Sequence, residues 1–358
     1  MSEKPLMPTT PAPSNLTFIA AKTSAPLPPA GLLAREKFND LLQTREPVSL
    51  LLVHAPAGYG KTTTLAERLD DLEAKAAWYR LENTDNDPVR FAGYLAHALG
   101  QIVDTPDMPA FDPTGDQQGH GLESFLTELL AGLPPSEDPS YLVLDDYQVI
   151  TNPEIHQGIR FLLRHLPPYL TLVVISRTLP PLGVAQLRMK GQMIEITSRD
   201  LAFDADEAQS YFEQRLPFEV SRENIERAVR RVEGWVSALQ LLSASARTSI
   251  EFSHFVDQLD QGNQHIFDYF DELVGQDLSE QQRSFLLRTS ILDRFNAGMV
   301  MRVMNDSDGQ ALLGSLLAMG LFITPVDNSA LWFRYHQLFS VYLRHLLAST
   351  TQENQRAL

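Results

Sequence analysis

The segment from Val48 to Thr63 limits the possible folds of this chain more than any other segment. It begins with the apolar run Val48-Ser-Leu-Leu-Leu-Val53, continues as His-Ala-Pro-Ala-Gly-Tyr-Gly, and ends in Lys61-Thr-Thr63. A strand, a glycine-containing loop and the start of a helix, in this order, are typical of a phosphate-binding loop. One position departs from the usual motif, because Ala55 stands where its first glycine is expected. The alternative is a strand, turn and helix that contain Gly-Lys-Thr by accident, and the two flanking elements argue against it.

The residue types in this loop match the chemistry of phosphate binding. Gly58 and Gly60 allow the backbone to curl, so that successive N–H groups point at phosphate oxygens. The helix that starts near Lys61 adds free N–H groups and the positive end of its dipole. Lys61 would contact the β- and γ-phosphates, and the Thr62 hydroxyl would complete the ligand shell of Mg²⁺. The predicted nucleotide-binding segment therefore contains Ala57, Gly58, Tyr59, Gly60, Lys61, Thr62 and Thr63.

A nucleoside triphosphatase also needs a carboxylate beside the loop, and the segment Tyr141-Leu-Val-Leu-Asp-Asp-Tyr147 supplies two. Asp145, at the tip of this apolar strand, is predicted to help hold Mg²⁺ from its second coordination sphere. Asp146 lies where a base would polarise the attacking water. Taken alone, such an acidic pair could equally begin a helix or a turn. Together with the loop at Lys61, the pair predicts catalysis.

A third apolar strand, Thr171–Ile175, runs into Ser176-Arg177. The carboxyl ends of parallel strands form the face where ligands bind in open α/β sheets. Arg177 could therefore sense the γ-phosphate. A surface arginine at the start of a loop explains the residue equally well, and both interpretations stay open at this point.

Length and charge restrict the partners of the chain. Its 358 residues exceed what one hydrophobic core usually organises, so two or three domains are expected. Its 29 basic and 45 acidic residues leave a net charge of −16, which argues against binding to nucleic acid. It has no cysteine, no apolar run long enough for a membrane helix and no signal-peptide pattern, so a cytoplasmic protein without a membrane partner is expected.

The order of the predicted elements divides the chain into segments. Residues 1–30 are rich in Pro, Ser, Thr and Ala and predict a flexible leader. Strands alternate with helices over residues 31–200, which predicts a parallel, doubly wound sheet in a P-loop nucleotide-binding domain. This segment includes a predicted helix over 32–42, an exposed loop over 104–120 and a candidate fifth strand at 193–196. Helical patterns dominate residues 201–277, beginning with a capping box at Asp204-Ala-Asp-Glu207.

The next segment has the pattern of a winged helix. Helices at 279–288, 297–304 and 310–319 precede two short strands joined by a turn at Asp327-Asn-Ser329, and together they predict a winged-helix domain over residues 278–346. Winged helices often bind DNA, but the segment 310–319 carries no Lys or Arg. A helix that enters the major groove needs cationic and amide side chains. We therefore predict a packing helix and no direct DNA binding by this chain. Residues 347–358 are predicted to start a truncated arm.

Five separated motifs resemble those of the signal-transducing STAND ATPases, in particular the large LuxR-type transcriptional activators. They are Ala55-Pro-Ala-Gly-Tyr-Gly-Lys-Thr-Thr63, Tyr141-Leu-Val-Leu-Asp-Asp-Tyr147, Ile150-Thr-Asn-Pro153, Leu172-Val-Val-Ile-Ser-Arg177 and Arg334-Tyr-His-Gln-Leu-Phe339. The resemblance extends from about residue 16 to the end of the chain. It implies an ASCE/AAA-like P-loop domain, an all-helical domain and a winged-helix domain that form one nucleotide-operated switch.

The resemblance also implies functions for single residues. Lys61 and Thr62 would bind phosphate and Mg²⁺, Asp145 would bind Mg²⁺, Asp146 would support hydrolysis and Arg177 would sense the nucleotide. Two further residues follow from the resemblance alone: Arg35 would lie near the base, and His336 would reach the phosphates of ADP. The alternative for His336 is a cap on the helix that starts at Gln337.

In such proteins ADP holds a closed monomer, whereas ATP and an inducer open it for self-association. This chain departs from the family at Val236, which follows Gly234-Trp235 where many members have proline. Members also continue into an inducer-binding sensor and a terminal LuxR-type DNA-binding domain. Because neither is in this sequence, we expect the chain to be part of a longer protein.

These observations predict a switch that binds ATP or ADP with Mg²⁺ and hydrolyses ATP slowly. A metabolic P-loop enzyme such as a kinase is one alternative, but it needs an acceptor site, and nothing outside the P-loop segment resembles one. The other alternative is an interaction module with a vestigial, non-hydrolysing nucleotide site. The intact set of Lys61, Thr62, Asp145 and Asp146 argues against it.

Overall fold

The computed structural model describes residues 18–27, 35–38, 48–103, 121–259, 261–274, 278–304, 309–326 and 331–356. Three predicted elements lie wholly or largely outside these ranges: the helix over 32–42, the loop over 104–120 and the turn at 327–329. Of the first, Glu36–Phe38 is described and forms a 3-10 turn. No helix in the described ranges is both long and apolar enough to cross a membrane.

The amino-terminal half of the structure is built on a five-stranded parallel sheet. Its strands are β1 (Leu50–His54), β2 (Lys75–Arg80), β3 (Ser140–Asp145), β4 (Leu170–Ser176) and β5 (Met193–Thr197). They lie in the order β2-β3-β4-β1-β5, and every neighbouring pair is parallel. The predicted doubly wound parallel sheet is therefore confirmed, including its fifth strand.

Helices cover both faces of this sheet. They are α1 (Ala20–Thr23), α2 (Lys61–Asp71), α3 (Pro88–Gly100), α4 (Gly121–Ala131), α5 (Pro153–His165), α6 (Ala185–Met189) and α7 (Ser198–Leu201). Because strand side chains alternate between faces, Leu51 and Val53 pack with α2, whereas Leu50 and Leu52 pack with α3, α4 and α5. The continuous apolar sequence of β1 follows from this burial on both sides.

Two helices of this half begin at side-chain caps that their sequences supply. Asp87 accepts a hydrogen bond from the backbone N–H of Arg90 at the start of α3, and Pro88 occupies the first helical position. Asn152 caps α5 in the same way, and Pro153 follows it. The cap at Asn152 sets the start of α5 at Pro153.

Part of the predicted flexible leader is instead packed against the sheet domain. Lys22 is 3% exposed, and its Nζ lies 2.5 Å from a carboxylate oxygen of the fully buried Asp85. Arg90 donates to the other oxygen of Asp85 at 2.9 Å, and Phe18 stacks on the His97 ring. The segment shows no apolar periodicity, because a buried ion pair and a few ring contacts hold it instead of an apolar face.

Five helices follow the sheet. They are α8 (Ala205–Arg215), α9 (Arg222–Val232), α10 (Val236–Ser245), α11 (Ser249–Gln258) and α12 (Gln264–Val274). The predicted capping box is confirmed at α8, where Asp204 and Glu207 exchange hydrogen bonds with each other's backbone. Between α9 and α10 the chain turns through Glu233 and Gly234, which both have positive φ angles. This turn approaches the phosphate loop.

The last elements are α13 (Glu280–Thr289), α14 (Ala297–Met304), α15 (Gly309–Ala318), β6 (Ile323–Pro325), β7 (Phe333–Tyr335) and α16 (Gln337–Arg356). β6 and β7 are antiparallel. Three helices followed by this hairpin form the predicted winged helix. An aromatic cluster of Trp235, Phe270, Phe322 and Phe339 packs it against the preceding helices, with ring centroids 5.0–5.4 Å apart in successive pairs.

Candidate functional site

The carboxyl ends of β1, β3 and β4 meet at one edge of the sheet, because these strands are neighbours. β1 leads into the loop at residues 55–60, β3 ends at Asp145, and β4 ends one residue before Arg177. The register sets β1 and β4 level, with His54 opposite Ser176. The sheet thus brings three motifs that are distant in sequence to a single site.

The loop has the backbone conformation that its glycines predict. Gly58 and Gly60 have φ angles of 79° and 76°, in the left-handed region that favours glycine. Gly60 is the residue before α2, and no side chain caps this helix. The first N–H groups of α2 therefore face the loop, together with the positive end of the helix dipole.

Lys61 lies back against the loop. Its Nζ donates to the carbonyl oxygens of Ala55 at 2.8 Å and Pro56 at 3.0 Å. Burial, and next the nearby positive charge of Arg177, lower the pKa of Lys61 to about 8. The ammonium group is thus held at the loop by neutral acceptors, where an anion would stabilise its charged form.

Thr62 and Asp145 join α2 to the end of β3. The Thr62 hydroxyl lies 3.0 Å from both carboxylate oxygens of Asp145, and the Asp146 N–H donates to one of them at 2.9 Å. Asp145 is 5% exposed, and burial, followed by the charge of Asp146, raises its pKa to about 6. A buried carboxylate beside a hydroxyl, without a cationic partner in hydrogen-bond contact among the described residues, has the donor chemistry that fits Mg²⁺.

Asp146 adopts a left-handed conformation, with φ of 58°. One oxygen of its carboxylate accepts from the Gln148 amide at 2.9 Å, and the other lies 3.4 Å from Nε of the exposed Arg80. A non-glycine residue in this region is uncommon, and such residues concentrate at functional sites. The conformation directs the two adjacent carboxylates, Asp145 and Asp146, to different partners.

Arg177 lies half-buried at this edge rather than on the outer surface. Its backbone N–H donates to the Gln148 side-chain oxygen at 2.9 Å, and its charge acts on Lys61 and on Tyr269 of α12. The backbone of Gly320, between α15 and β6, packs against it so closely that a Cβ on Gly320 would lie 2.5 Å from the Arg177 Cβ. Arg177 therefore contacts the winged helix, which the sequence did not indicate.

The start of α10 is bonded directly to the phosphate loop. The indole Nε1 of Trp235 donates to the Ala57 carbonyl at 3.0 Å, and the Ser237 N–H and hydroxyl donate to the Gly58 carbonyl at 3.0 and 3.2 Å. A Cβ at Gly58 would overlap both side chains. Sequence reasoning missed these contacts, although Trp235 and Ser237 follow the Glu-Gly pair where α9 ends.

The end of α9 is bonded to the winged helix. The Glu233 carboxylate accepts from Nη1 and Nη2 of Arg334 at 2.8 and 2.6 Å, and from the Gln337 N–H at 3.0 Å. Tyr59 of the loop is buried nearby, where burial and next the Glu233 charge raise its pKa. The segment 232–237, which we call the connector, thus bonds the phosphate loop on one side and the winged helix on the other.

His336 belongs to the same contact. It is 2% exposed, its Nε2 lies 3.1 Å from the Val232 carbonyl, and its ring packs on Trp235 and Phe322. Its Nδ1 is buried without a hydrogen-bond partner in the described part of the chain. Neither ring nitrogen therefore bonds an N–H of α16, since Nε2 faces the Val232 carbonyl and Nδ1 has no partner among the described residues. The alternative of a helix cap from the His336 side chain does not describe this helix start.

Arg35 lies beside α2 but is engaged by the helical segment. Its guanidinium donates to Glu207 at 2.9 and 3.2 Å and lies between the rings of Phe38 and Phe203. Its Nη1 is buried without a partner among the described residues. Next to it a narrow apolar cleft reaches Lys61, lined by Phe38, Val53, Thr64, Leu65, Arg68, Ile196 and Leu201.

A larger open cavity lies at the opposite, amino-terminal end of the strands. The residues that line it include Ser49, Leu170, Arg160, Arg164 and Lys190. In open α/β sheets ligands bind beyond the carboxyl ends of the strands. The loop at residues 55–60 lies at that carboxyl-terminal edge, away from this cavity.

Taken together, the sheet order, the loop and the attached segments define a protein of the P-loop NTPase fold, with a helical segment and a winged helix. A search of solved structures agrees: a Walker-type ATPase of Pyrococcus abyssi superposes with a TM-score of 0.55 over 87% of this chain and 95% of its own, at 13% identity. At that identity the likeness shows the fold alone. Residues 270–356 match the family model described as the MalT winged helix domain.

The sequence is similar to curated proteins named HTH-type transcriptional regulator MalT. The Vibrio campbellii protein is 38% identical over 330 residues, which are 92% of this chain and 36% of that protein. The Yersinia pestis protein is 37% identical over 329 residues, with 91% and 36% coverage. The predicted resemblance to the large LuxR-type regulators is therefore confirmed, and the chain spans about a third of the length of these relatives.

Proposed function

We propose that this chain is the nucleotide-binding switch module of a MalT-like transcriptional regulator. In this proposal it binds ATP or ADP with Mg²⁺ and hydrolyses ATP slowly in the cytoplasm. ADP holds the closed arrangement, and ATP opens it for self-association. The observation that carries the proposal is the Thr62–Asp145 contact of 3.0 Å beside Lys61, at the open start of α2.

The phosphate site follows from the loop and its lysine. The N–H groups at the start of α2 and the loop glycines would bind phosphate oxygens, and Lys61 would exchange its two carbonyl acceptors for them. Phosphate would also favour the charged form of Lys61, whose pKa burial has lowered. We place the base near Arg35, on the side of the loop where Phe38 and Ile196 line a narrow cleft.

The donor set fits magnesium. Mg²⁺ usually binds one or two carboxylates together with substrate phosphates and water, and Thr62 and Asp145 supply the protein oxygens. When bound, the ion would neutralise charge on the β- and γ-phosphates. Asp146 would orient and polarise the attacking water, and Arg177 would sense the terminal phosphate.

The connector gives the module its switch. Trp235 and Ser237 bond the loop, and Val232 and Glu233 bond the winged helix, so a change in loop conformation alters both sets of contacts. A nucleotide shifts such an equilibrium only through its different affinity for the two states. The closed state has all of these bonds, and we assign it to ADP.

His336 would recognise ADP only in its protonated form. A carbonyl accepts hydrogen bonds, so the Nε2 atom next to Val232 carries a proton, and the Nδ1 atom of the neutral ring is then an acceptor. A phosphate oxygen is also an acceptor. Burial lowers the pKa of His336, so a phosphate contact at Nδ1 requires the negative charge of the phosphate to restore the second proton.

The alternatives are a metabolic kinase and a non-hydrolysing interaction module. One set of measurements separates them: identification of the nucleotide carried by the purified protein, ATP affinity by calorimetry, and phosphate release without an added acceptor. Lys61→Ala should abolish ATP binding, because Lys61 contacts the ground-state phosphates. Asp146→Asn should keep binding and lose phosphate release, because Asp146 acts on the water.

Each result has a defined meaning. Equal loss of binding in both variants would refute the separate functions of Lys61 and Asp146. ATP binding without phosphate release in the wild-type chain would favour the interaction module. ADP formation that depends on an added acceptor, with the phosphoryl group transferred to that acceptor, would favour the kinase.

A further inference from the structure

Gln148 links the two polar groups that surround the proposed water site. It lies in the 3-10 turn Tyr147–Val149, directly after the acidic pair. Its Nε2 donates to Oδ1 of Asp146 at 2.9 Å, and its Oε1 accepts from the Arg177 N–H at 2.9 Å. One amide thus bridges the end of β3 to the end of β4.

The two partners determine the orientation of this amide. A backbone N–H can only donate, and an ionised carboxylate can only accept, so the oxygen faces Arg177 and the nitrogen faces Asp146. The Asp145 and Asp146 carboxylates are adjacent and repel each other. The hydrogen bond from Gln148 holds the Asp146 carboxylate in place against this repulsion. Without Gln148, the remaining side-chain partner of the Asp146 carboxylate among the described residues would be Arg80, whose side chain is 67% exposed.

The bridge continues to the winged helix. Gly320 packs on the Cβ and carbonyl oxygen of Arg177, at contact distances that leave no room for a Cβ on the glycine. A shift of the winged helix would therefore move the residue whose N–H holds the Gln148 side chain. Movement of the Gln148 side chain would in turn shift the Nε2 atom that donates to Asp146.

We propose that Gln148 is a positioning residue, which holds the Asp146 carboxylate in place to polarise the water that attacks ATP and couples that carboxylate to the docking of the winged helix on Arg177. This inference rests on the proposed ATPase function and adds a residue to it. The hydrogen bond from Nε2 to Asp146 carries the effect, and the bond from Arg177 sets the position of that donor.

Two substitutions separate positioning from a merely structural function. Gln148→Glu keeps the shape and an oxygen that accepts from Arg177, but it removes the donor to Asp146 and adds a like charge beside it. Gln148→Met removes both bonds and keeps the length of the side chain. Gln157 is a matched control, because its amide donates to Glu123 at 3.0 Å on the exposed side of α5.

The experiment measures kcat for phosphate release and ATP affinity by calorimetry for wild type, both Gln148 variants, Gln157→Glu and Gln157→Met. Both Gln148 variants should lose about 10- to 100-fold in kcat, the usual scale for a displaced catalytic group. ATP affinity should stay within about threefold, because an interaction that acts only on the reacting water does not alter ground-state binding. Both Gln157 variants should retain the wild-type values.

Full kcat in Gln148→Glu would overturn the proposal, since the Arg177 bond alone would then suffice. A parallel loss of ATP affinity and kcat would also overturn it, because the effect would then be structural. A wild-type chain that binds no ATP refutes the proposed function itself. A wild-type chain that binds ATP but releases no phosphate overturns this inference and leaves nucleotide binding in place.

Discussion

Replacement of Glu233 by alanine should release the winged helix from the connector. The carboxylate accepts two hydrogen bonds from Arg334 and one from the Gln337 N–H, between 2.6 and 3.0 Å. The two side chains are 24% and 41% exposed, so solvent screens the pair, and we expect it to stabilise docking by about 1–2 kcal/mol. Loss of the helix cap adds about 1 kcal/mol. Together they shift the equilibrium towards the open form by about 30- to 150-fold.

Amide hydrogen exchange over residues 333–337 measures this opening directly, and sedimentation velocity with ATP measures the self-association that should follow. Glu226→Ala is the matched control, because Glu226 lies on α9, the helix that ends just before Glu233, and pairs with the exposed Arg222 at 3.1 Å. It removes the same charge and should change neither readout. A double-mutant cycle with Arg334→Ala isolates the energy of the pair.

The pH dependence of the same contact has a definite sign. Burial alone would raise the pKa of Glu233, but the hydrogen bond from Arg334 and the neighbouring positive charges lower it below its usual value. The stabilisation is therefore complete at neutral pH and is lost as the pH falls from about 4.3 through the lower folded-state pKa. Wild type and Glu233→Ala should converge in acid. Exchange rates in Glu233→Ala that equal those of Glu226→Ala at neutral pH would refute the reasoning.

Three further predictions address the same closed state. Gly320→Ala should displace the winged helix and lower the thermal midpoint of unfolding, because the new Cβ would lie 2.5 Å from the Arg177 Cβ at a φ of +65°. Gly314→Ala is the control, because a Cβ there meets open space and should not lower the midpoint. Equal midpoints for the two variants would contradict the packing argument. The ratio of ADP affinity to ATP affinity, measured by calorimetry, should increase as the pH falls below neutrality, and His336→Ala should abolish this pH dependence. A ratio that does not change with pH in the wild type would exclude a contact from protonated His336. A promoter-sized DNA duplex should not be shifted at sub-micromolar protein and physiological salt, because the net charge is −16 and α15 carries no basic residue; a retarded band would contradict this.

The sequence alone determined the phosphate loop, the acidic pair and the parallel sheet, because each depends on neighbouring residues. The run from Val48 to Lys61 needs only an apolar strand, two glycines and a lysine in order. Alternation of strands with helices then requires parallel pairing with crossovers, which places the ends of β1, β3 and β4 together. The winged helix could also be predicted from the sequence, because its helices and hairpin are consecutive along the chain.

Only the tertiary structure decided how these parts are joined. Glu233 and Arg334 are 101 residues apart in the sequence, and either could pair with many surface charges, so no local pattern indicates their bond. In the sequence, Gln148 is only a polar residue in a predicted turn. The register of β3 and β4 in the folded sheet brings the Arg177 N–H to 2.9 Å from the Gln148 Oε1 atom. From the sequence, Lys22 belongs to a predicted polar leader. Only the structure shows that it forms an ion pair with the buried Asp85. Hydrogen bonds are short and directional, so their partners depend on three-dimensional positions that residue type and spacing do not specify.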